Sequence, residues 1–134
     1  MIQIFFVFSD WALLLLRVAL GAILITHGWP KISNIKKTSK SFKDMGFVPS
    51  SFWASVTALV EFVGGILIIL GLGTQLVSLL VFIEFLVILI TVKKDAVFKG
   101  EVEFDLLILA SAFMLTTIGG GNYSLDQIFQ LLLY

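Results

Sequence analysis

Long apolar runs and short polar breaks alternate along this chain. A helix crossing ~30 Å of hydrocarbon needs about 20 mostly apolar residues, and the breaks cut four runs near that length, at about 10–27, 52–70, 74–92 and 102–118. Ser9 or Asp10 can cap the first run and Ser50 or Ser51 the second. Gly28 with Pro30 is expected to stop the first, and Gly71 with Gly73 breaks the chain before the third. Two further stretches are too short or too polar to span. In 32–45, Ile32, Ile35, Phe42 and Met45 recur at helical spacing while Lys36, Lys37, Lys40 and Lys43 take much of the remaining surface. That pattern predicts an amphipathic helix lying on anionic headgroups; a plain solvated lysine loop is the alternative. Near the end, Ser124 with Gln127 three residues on reads as a capping box. It opens a short helix with Asp126, Gln127 and Gln130 on one face and Leu125, Ile128, Phe129 and Leu132 on the other.

Composition settles the class. Of 134 residues, 59% are hydrophobic and 13% charged, and the mean hydropathy is +1.08. Too little polar surface remains to cover a water-soluble globule. The expected fold is therefore all-α and integral to a membrane, a single four-transmembrane-helix bundle over 1–134 with an amphipathic loop helix and a short C-terminal helix. Nine Lys and Arg balance nine Asp and Glu, so no basic excess points to nucleic acid. Cys is absent, which removes disulfides, thiol relays, iron–sulfur clusters and cysteine zinc sites. The stretch 1–9 has neither a basic region nor a small-residue cleavage pattern, so no cleaved leader is expected.

The eight lysines give the direction. Lys31, Lys36, Lys37, Lys40 and Lys43 lie in the first long loop and Lys93, Lys94 and Lys99 in the third, while the Gly71–Gly73 turn and both termini carry none. The positive-inside rule then places these loops in the cytoplasm and both termini outside, in a multi-pass protein of the bacterial cytoplasmic membrane. Trp29 and Trp53 fall at the inner interface, and Trp11, Tyr123 and Tyr134 at the outer one, as an aromatic belt requires.

Charge inside a span is costly and marks function by default. Arg17, Glu61 and Glu84 sit inside spans one, two and three. Counting from Trp11, Gly71 and Thr74 at ~1.5 Å per residue, Arg17 lies about 9 Å deep and both carboxylates about 15 Å deep. Arg17 shares a face with Gly21 and Gly28, and Glu61 with Ala54, Ala58 and Gly65. Small residues let helices approach, so these faces are expected to look inward and Arg17 to pair with Glu61. Glu84 is left without a cation, and because desolvation favours the neutral carboxyl it is the candidate proton relay. The alternative is a fixed Arg17–Glu61 pair that specifies packing, with Glu84 reaching some polar neighbour. A second polar cluster gathers His27, Lys31, Glu103 and Asp105 at the cytoplasmic ends; the single histidine argues against a bis-His haem and a His-rich metal site, so no metal is expected. Gly119–Gly121 are read as the end of span four. No self-contained catalytic motif is present.

At these residues the chain resembles the DoxX family of small four-span bacterial membrane proteins. The resemblance runs from about Asp10 to Asp126. It rests on Arg17-Val18-Ala19-Leu20-Gly21 with His27-Gly28 and Lys31, on Met45-Gly46-Phe47-Val48-Pro49, and on Glu61-Phe62-Val63-Gly64-Gly65 with Leu70-Gly71. Glu103 and the ending Gly119-Gly120-Gly121-Asn122-Tyr123-Ser124-Leu125-Asp126 complete it. The resemblance implies a four-helix bundle and an association with redox chemistry, since a relative forms the membrane subunit of an archaeal thiosulfate:quinone oxidoreductase. The lysine-rich loop and Glu84 are not parts of that pattern. The leading expectation is a membrane subunit of a quinone-linked complex, holding no intrinsic cofactor, with an apolar site beside Arg17 and Glu61 and an electron donor supplied by another subunit. The second is a non-catalytic membrane adaptor that docks partner proteins. A small-molecule carrier ranks third, because no span is interrupted in paired halves.

Overall fold

The computed structural model describes residues 4–94 and 102–129. Lys99, Gln130, Leu132 and Tyr134, used above, lie outside them. Among the described residues the chain is all helical, without a strand. A short 3-10 turn, Phe6–Phe8, runs directly into α1 (Ser9–Ser33). Then follow α2 (Ile35–Asp44), α3 (Ser50–Leu70), α4 (Thr74–Val87), which continues as a π-helical turn over Ile88–Val92, α5 (Glu103–Ile118) and α6 (Leu125–Phe129).

Three helical stretches are long and apolar enough to cross a membrane: Phe6–Ser33, Ser50–Leu70 and Thr74–Val92. Helix α5 has 16 residues, about 24 Å of rise against ~30 Å of hydrocarbon. The end that carries the Gly71–Gly73 turn and Gly119–Gly121 is called here the glycine end, and the opposite one the lysine end.

Helix α1 does not stop where expected. It passes through Gly28 and Pro30 to Ser33; the amide that Pro30 lacks costs the bond one turn back, and the helix runs only three residues beyond it. The helix ends at Asn34, whose backbone amide bonds the Pro30 carbonyl and whose side chain accepts from the Lys37 amide to start α2. Gly28 serves packing instead. A Cβ there would stand 2.5 Å from the Phe62 backbone nitrogen, and one on Gly21 would stand 2.5 Å from the Gly65 carbonyl oxygen. Helices α1 and α3 therefore touch backbone to backbone at two levels, with lone glycines doing what a G-x-x-x-G pair does elsewhere. The faces expected to look inward do so: Arg17, Gly21 and Gly28 on α1, and Ala54, Ala58, Glu61 and Gly65 on α3, are all buried.

The apolar core gathers Leu20 and Leu24 from α1, Ile68 from α3, Val81 and Phe85 from α4, and Ile108 and Leu115 from α5. Helix α2 lies across the base of α3, with Thr38 donating to the Lys31 carbonyl and Ser39 meeting Ser50 at 3.2 Å. Its four lysines are exposed. Neither Ser9 nor Ser50 caps its helix through the side chain.

Gly28→Ala would force α1 from α3 and is expected to cost about 1–3 kcal/mol, measured as the unfolding midpoint in micelles; an unchanged midpoint would mean the backbones do not meet at Phe62.

Candidate functional site

The last four carbonyls of a helix have no partner within it. At the end of α3, Gly71 in the left-handed region (φ 71°) turns the chain so that the Leu72 amide bonds the Leu67 carbonyl and the Gly71 amide the Ile68 carbonyl. Arg17 completes the cap from α1. Its Nε donates to the Ile68 carbonyl at 3.1 Å and one terminal nitrogen to Ile69 at 3.0 Å. The other terminal nitrogen donates to Gly120 at 2.6 Å and Tyr123 at 3.0 Å. The guanidinium is 1% exposed, and a cation is favoured at a helix C-terminus.

The same node holds an anion at the adjacent N-terminus. Asp126 of α6 accepts from the Gly73 amide at 2.6 Å and the Thr74 amide at 2.8 Å, opening α4, while its own amide bonds the Gly71 carbonyl. Ser124 receives the Gln127 amide at 3.3 Å and donates to the Gly121 carbonyl. Asp10 holds Asn122 through both its backbone amide and its side-chain nitrogen. Gly119–Gly121 do more than end a helix: Gly120 packs so closely that an added Cβ would stand 2.7 Å from Ser124 Cβ and 2.8 Å from the Thr74 hydroxyl.

Arg17 does not meet Glu61. The Gly21–Gly65 contact sets the register. From it Arg17 lies four residues toward the glycine end and Glu61 four toward the lysine end, about 12 Å apart along the axes. Orphan carbonyls stand within reach of the guanidinium and the carboxylate does not. Glu61 is paired instead with Lys31, Nζ to Oε2 2.6 Å, with the Glu61 side chain 1% exposed. The lysine stem runs back along α1 from the lysine end.

Glu84 stands beside this pair. Lys31, Glu61 and Thr57 are the polar groups around it, yet both its carboxyl oxygens are shielded from solvent without a hydrogen-bond donor at bonding geometry among the described residues. Next to Glu84 the helix passes into the π turn, a distortion that recurs at functional positions. One cation and two carboxylates thus share a buried site.

The cluster expected of His27, Lys31, Glu103 and Asp105 is not assembled. Lys31 is taken by Glu61. Asp105 is buried and bound by Lys93 at 2.5 Å. His27 is exposed and stacks on Phe104 with ring centroids 5.7 Å apart, and Glu103 is exposed in the first turn of α5. Among the described residues no group of His, Asp and Glu could hold a metal ion. Two cavities lie between α1 and α5, and neither Arg17 nor Glu61 is among their lining residues.

The family profile named DoxX matches residues 12–94, more than half of the chain. The chain belongs to the DoxX family. A relative from Bacillus subtilis (strain 168), named "Putative oxidoreductase CatD", is 38% identical over 113 residues, covering 84% of this chain and 83% of its own length. No solved structure matches. In this DoxX protein the Gly119–Asp126 stretch lies beyond the matched residues, and Arg17, inside them, holds it through the Gly120 and Tyr123 carbonyls.

Arg17→Met would strand the carbonyls of Ile69, Gly120 and Tyr123 at once and is expected to cost at least about 3 kcal/mol, while its effect should add to that of Glu61→Gln within ~0.5 kcal/mol. Lys31→Met and Glu61→Gln should instead be non-additive by about 1–3 kcal/mol. Double-mutant cycles on unfolding in micelles read both, and coupling between Arg17 and Glu61 would contradict the register given above.

Proposed function

We propose that this DoxX protein is a proton-handling membrane subunit of a quinone-linked redox complex. The observation that carries the reading is Glu84, a carboxyl shielded from solvent beside the Lys31–Glu61 pair, with the Thr57 hydroxyl near it but no donor at full bonding geometry among the described residues. A carboxyl in this setting can take up and release a proton without breaking a hydrogen-bond network, and the adjacent cation can follow the change by leaning toward whichever carboxylate is charged. Buried polar groups in native proteins are almost always bonded, so an unbonded pair of oxygens signals a ligand, a water or a proton. The oxidoreductase name of the Bacillus relative supports a redox setting.

A bound quinone would supply the reaction with an acceptor of two electrons and two protons. This chain's own residues would supply proton transfer through Glu84, with Glu61 and Lys31 as the charged pair beside it, and the electron donor would belong to a partner subunit. In this reading α5 is a fourth span, the lysine end faces the cytoplasm and both termini face out, in the bacterial cytoplasmic membrane. The exposed lysines Lys36, Lys37, Lys40 and Lys43 of α2 then meet anionic headgroups. The same lysine face supports a second reading, a non-catalytic adaptor docking an acidic partner protein.

Glu84→Gln keeps shape and removes the exchangeable proton. It should leave expression and assembly intact and lower quinone-linked turnover of the purified complex at least about tenfold, in the range of lost general acid–base catalysis; unaltered turnover favours the adaptor. Orientation has a separate check, because the chain has no cysteine of its own. In intact cells a membrane-impermeant maleimide should label Asn122→Cys and not Lys40→Cys, and the reverse pattern would invert the topology.

A further inference from the structure

Helix α1 uses one stripe, Arg17, Gly21 and Gly28, to meet α3, and turns a different one toward α5. Between α1 and α5 the bundle is open. At the glycine end the opening is a cavity of about 1280 Å3, lined among others by Asp10, Leu13 and Leu16 of α1, Met114 and Thr117 of α5, and Gln75 of α4. Leu16 also lines a second, smaller cavity of about 100 Å3 that continues the seam past Leu20 and Ile23 toward Leu107 and Phe104. From Asp10 to Ile23 the two span about 20 Å along α1. The larger exceeds the roughly 300–1,000 Å3 of ordinary small-molecule pockets. Polar groups gather at its outer rim and apolar ones line its depth.

The rim selects the head. Two carboxylates, Asp10 and Asp126, line it, and among the described residues no Lys, Arg or His does. Both acids are already committed, Asp10 to Asn122 and Asp126 to the amides of Gly73 and Thr74. Arg17 is enclosed by backbone carbonyls. A phosphate head would meet the Asp10 carboxylate, while the cation nearest the rim, Arg17, is already spent on carbonyls and balanced by Asp126. Gln75, by contrast, is half-buried and lies against Gly119, with its side-chain nitrogen 3.8 Å from where a Gly119 Cβ would stand. It has no hydrogen-bond partner among the described residues, so its amide is available to an oxygen acceptor.

We propose that the α1–α5 seam is a binding site for a membrane amphiphile with an uncharged, carbonyl-bearing head, seated against Gln75 with its apolar chain along Leu13, Leu16 and Met114. The proposal is independent of the redox reading, although a quinone belongs to this chemical class and the seam would then be its place.

The test uses the purified full chain in nanodiscs of uncharged and zwitterionic lipid, with decylubiquinone as the probe and calorimetry as the readout. Saturable binding is expected, unaffected by added phosphatidylglycerol. Ala12→Phe, which puts bulk into the exposed mouth without touching the packed core, should abolish it. Gln75→Leu should weaken it about two- to tenfold, as the loss of one hydrogen bond does. Binding that survives Ala12→Phe, or displacement by phosphatidylglycerol, overturns the proposal. Binding that emerges only after residues 130–134 are removed also overturns it and assigns the seam to the chain's own end. The redox reading fails separately, when Glu84→Gln leaves turnover unaltered, whatever the seam variants bind.

Discussion

One buried guanidinium organises the glycine end. Arg17 reaches the terminal carbonyls of α3 and the carbonyls of Gly120 and Tyr123 from a single position on α1. A charge so far from water persists only where nearly every donor is used. Here three of the acceptors, the carbonyls of Ile69, Gly120 and Tyr123, are backbone groups that would themselves be orphaned without it. The fit forces small residues around the node: a Cβ on Gly71 would stand 2.8 Å from the Arg17 guanidinium carbon and 2.6 Å from Ser124 Cβ. Asp126, with its carboxylate on the first amides of α4, balances the arginine across the same turn.

Because Arg17 is consumed in this way, the charge pattern of the rest of the bundle follows. Glu61 has to find another cation, and Lys31 is the group that the α1–α3 register brings within reach. Lysine suits the place: its flexible stem can bend back along its own helix to bring a point charge to the carboxylate. With both cations committed, Glu84 is left over. The contrast between a node in which four carbonyls are satisfied and one in which a carboxyl has no donor is what separates scaffold from candidate chemistry here.

Much of the fold was legible in the sequence. Apolar run length announced the helices, and small residues at helical spacing identified the inward faces of α1 and α3. The misplaced ion pair has one cause. Depth counted from span ends placed Arg17 and Glu61 within reach of one another, whereas register is set by particular contacts, here Gly21 against Gly65 and Gly28 against Phe62. Lys31 follows Gly28 by three residues and so continues the α1 stripe that faces α3, which is the sign the sequence offered for its pairing with Glu61. The role of Asp126 was out of reach, because a carboxylate that caps a distant helix leaves no local pattern. The reading of Gly28 with Pro30 as a stop also failed, since the helix accommodates the proline in its last turn and continues three residues further.

The polar ties are distributed unevenly, and this bears on where the bundle can open. Lys31–Glu61 fastens α1 to α3, Arg17 fastens α1 to the end of α3, Asp126 fastens α6 to α4, and Lys93–Asp105 fastens the end of the α4 stretch to α5. Between α1 and α5 themselves no ion pair or side-chain hydrogen bond occurs among the described residues. The nearest tie is the clasp of Asp10 on Asn122, just past the end of α5. Apolar contacts in a lipid environment exert little pull, since acyl chains compete for them on equal terms. Among the described residues α1 and α5 are thus neighbours without a direct polar tie, a pair that an amphiphile can part at low cost, and the cavities lie between them.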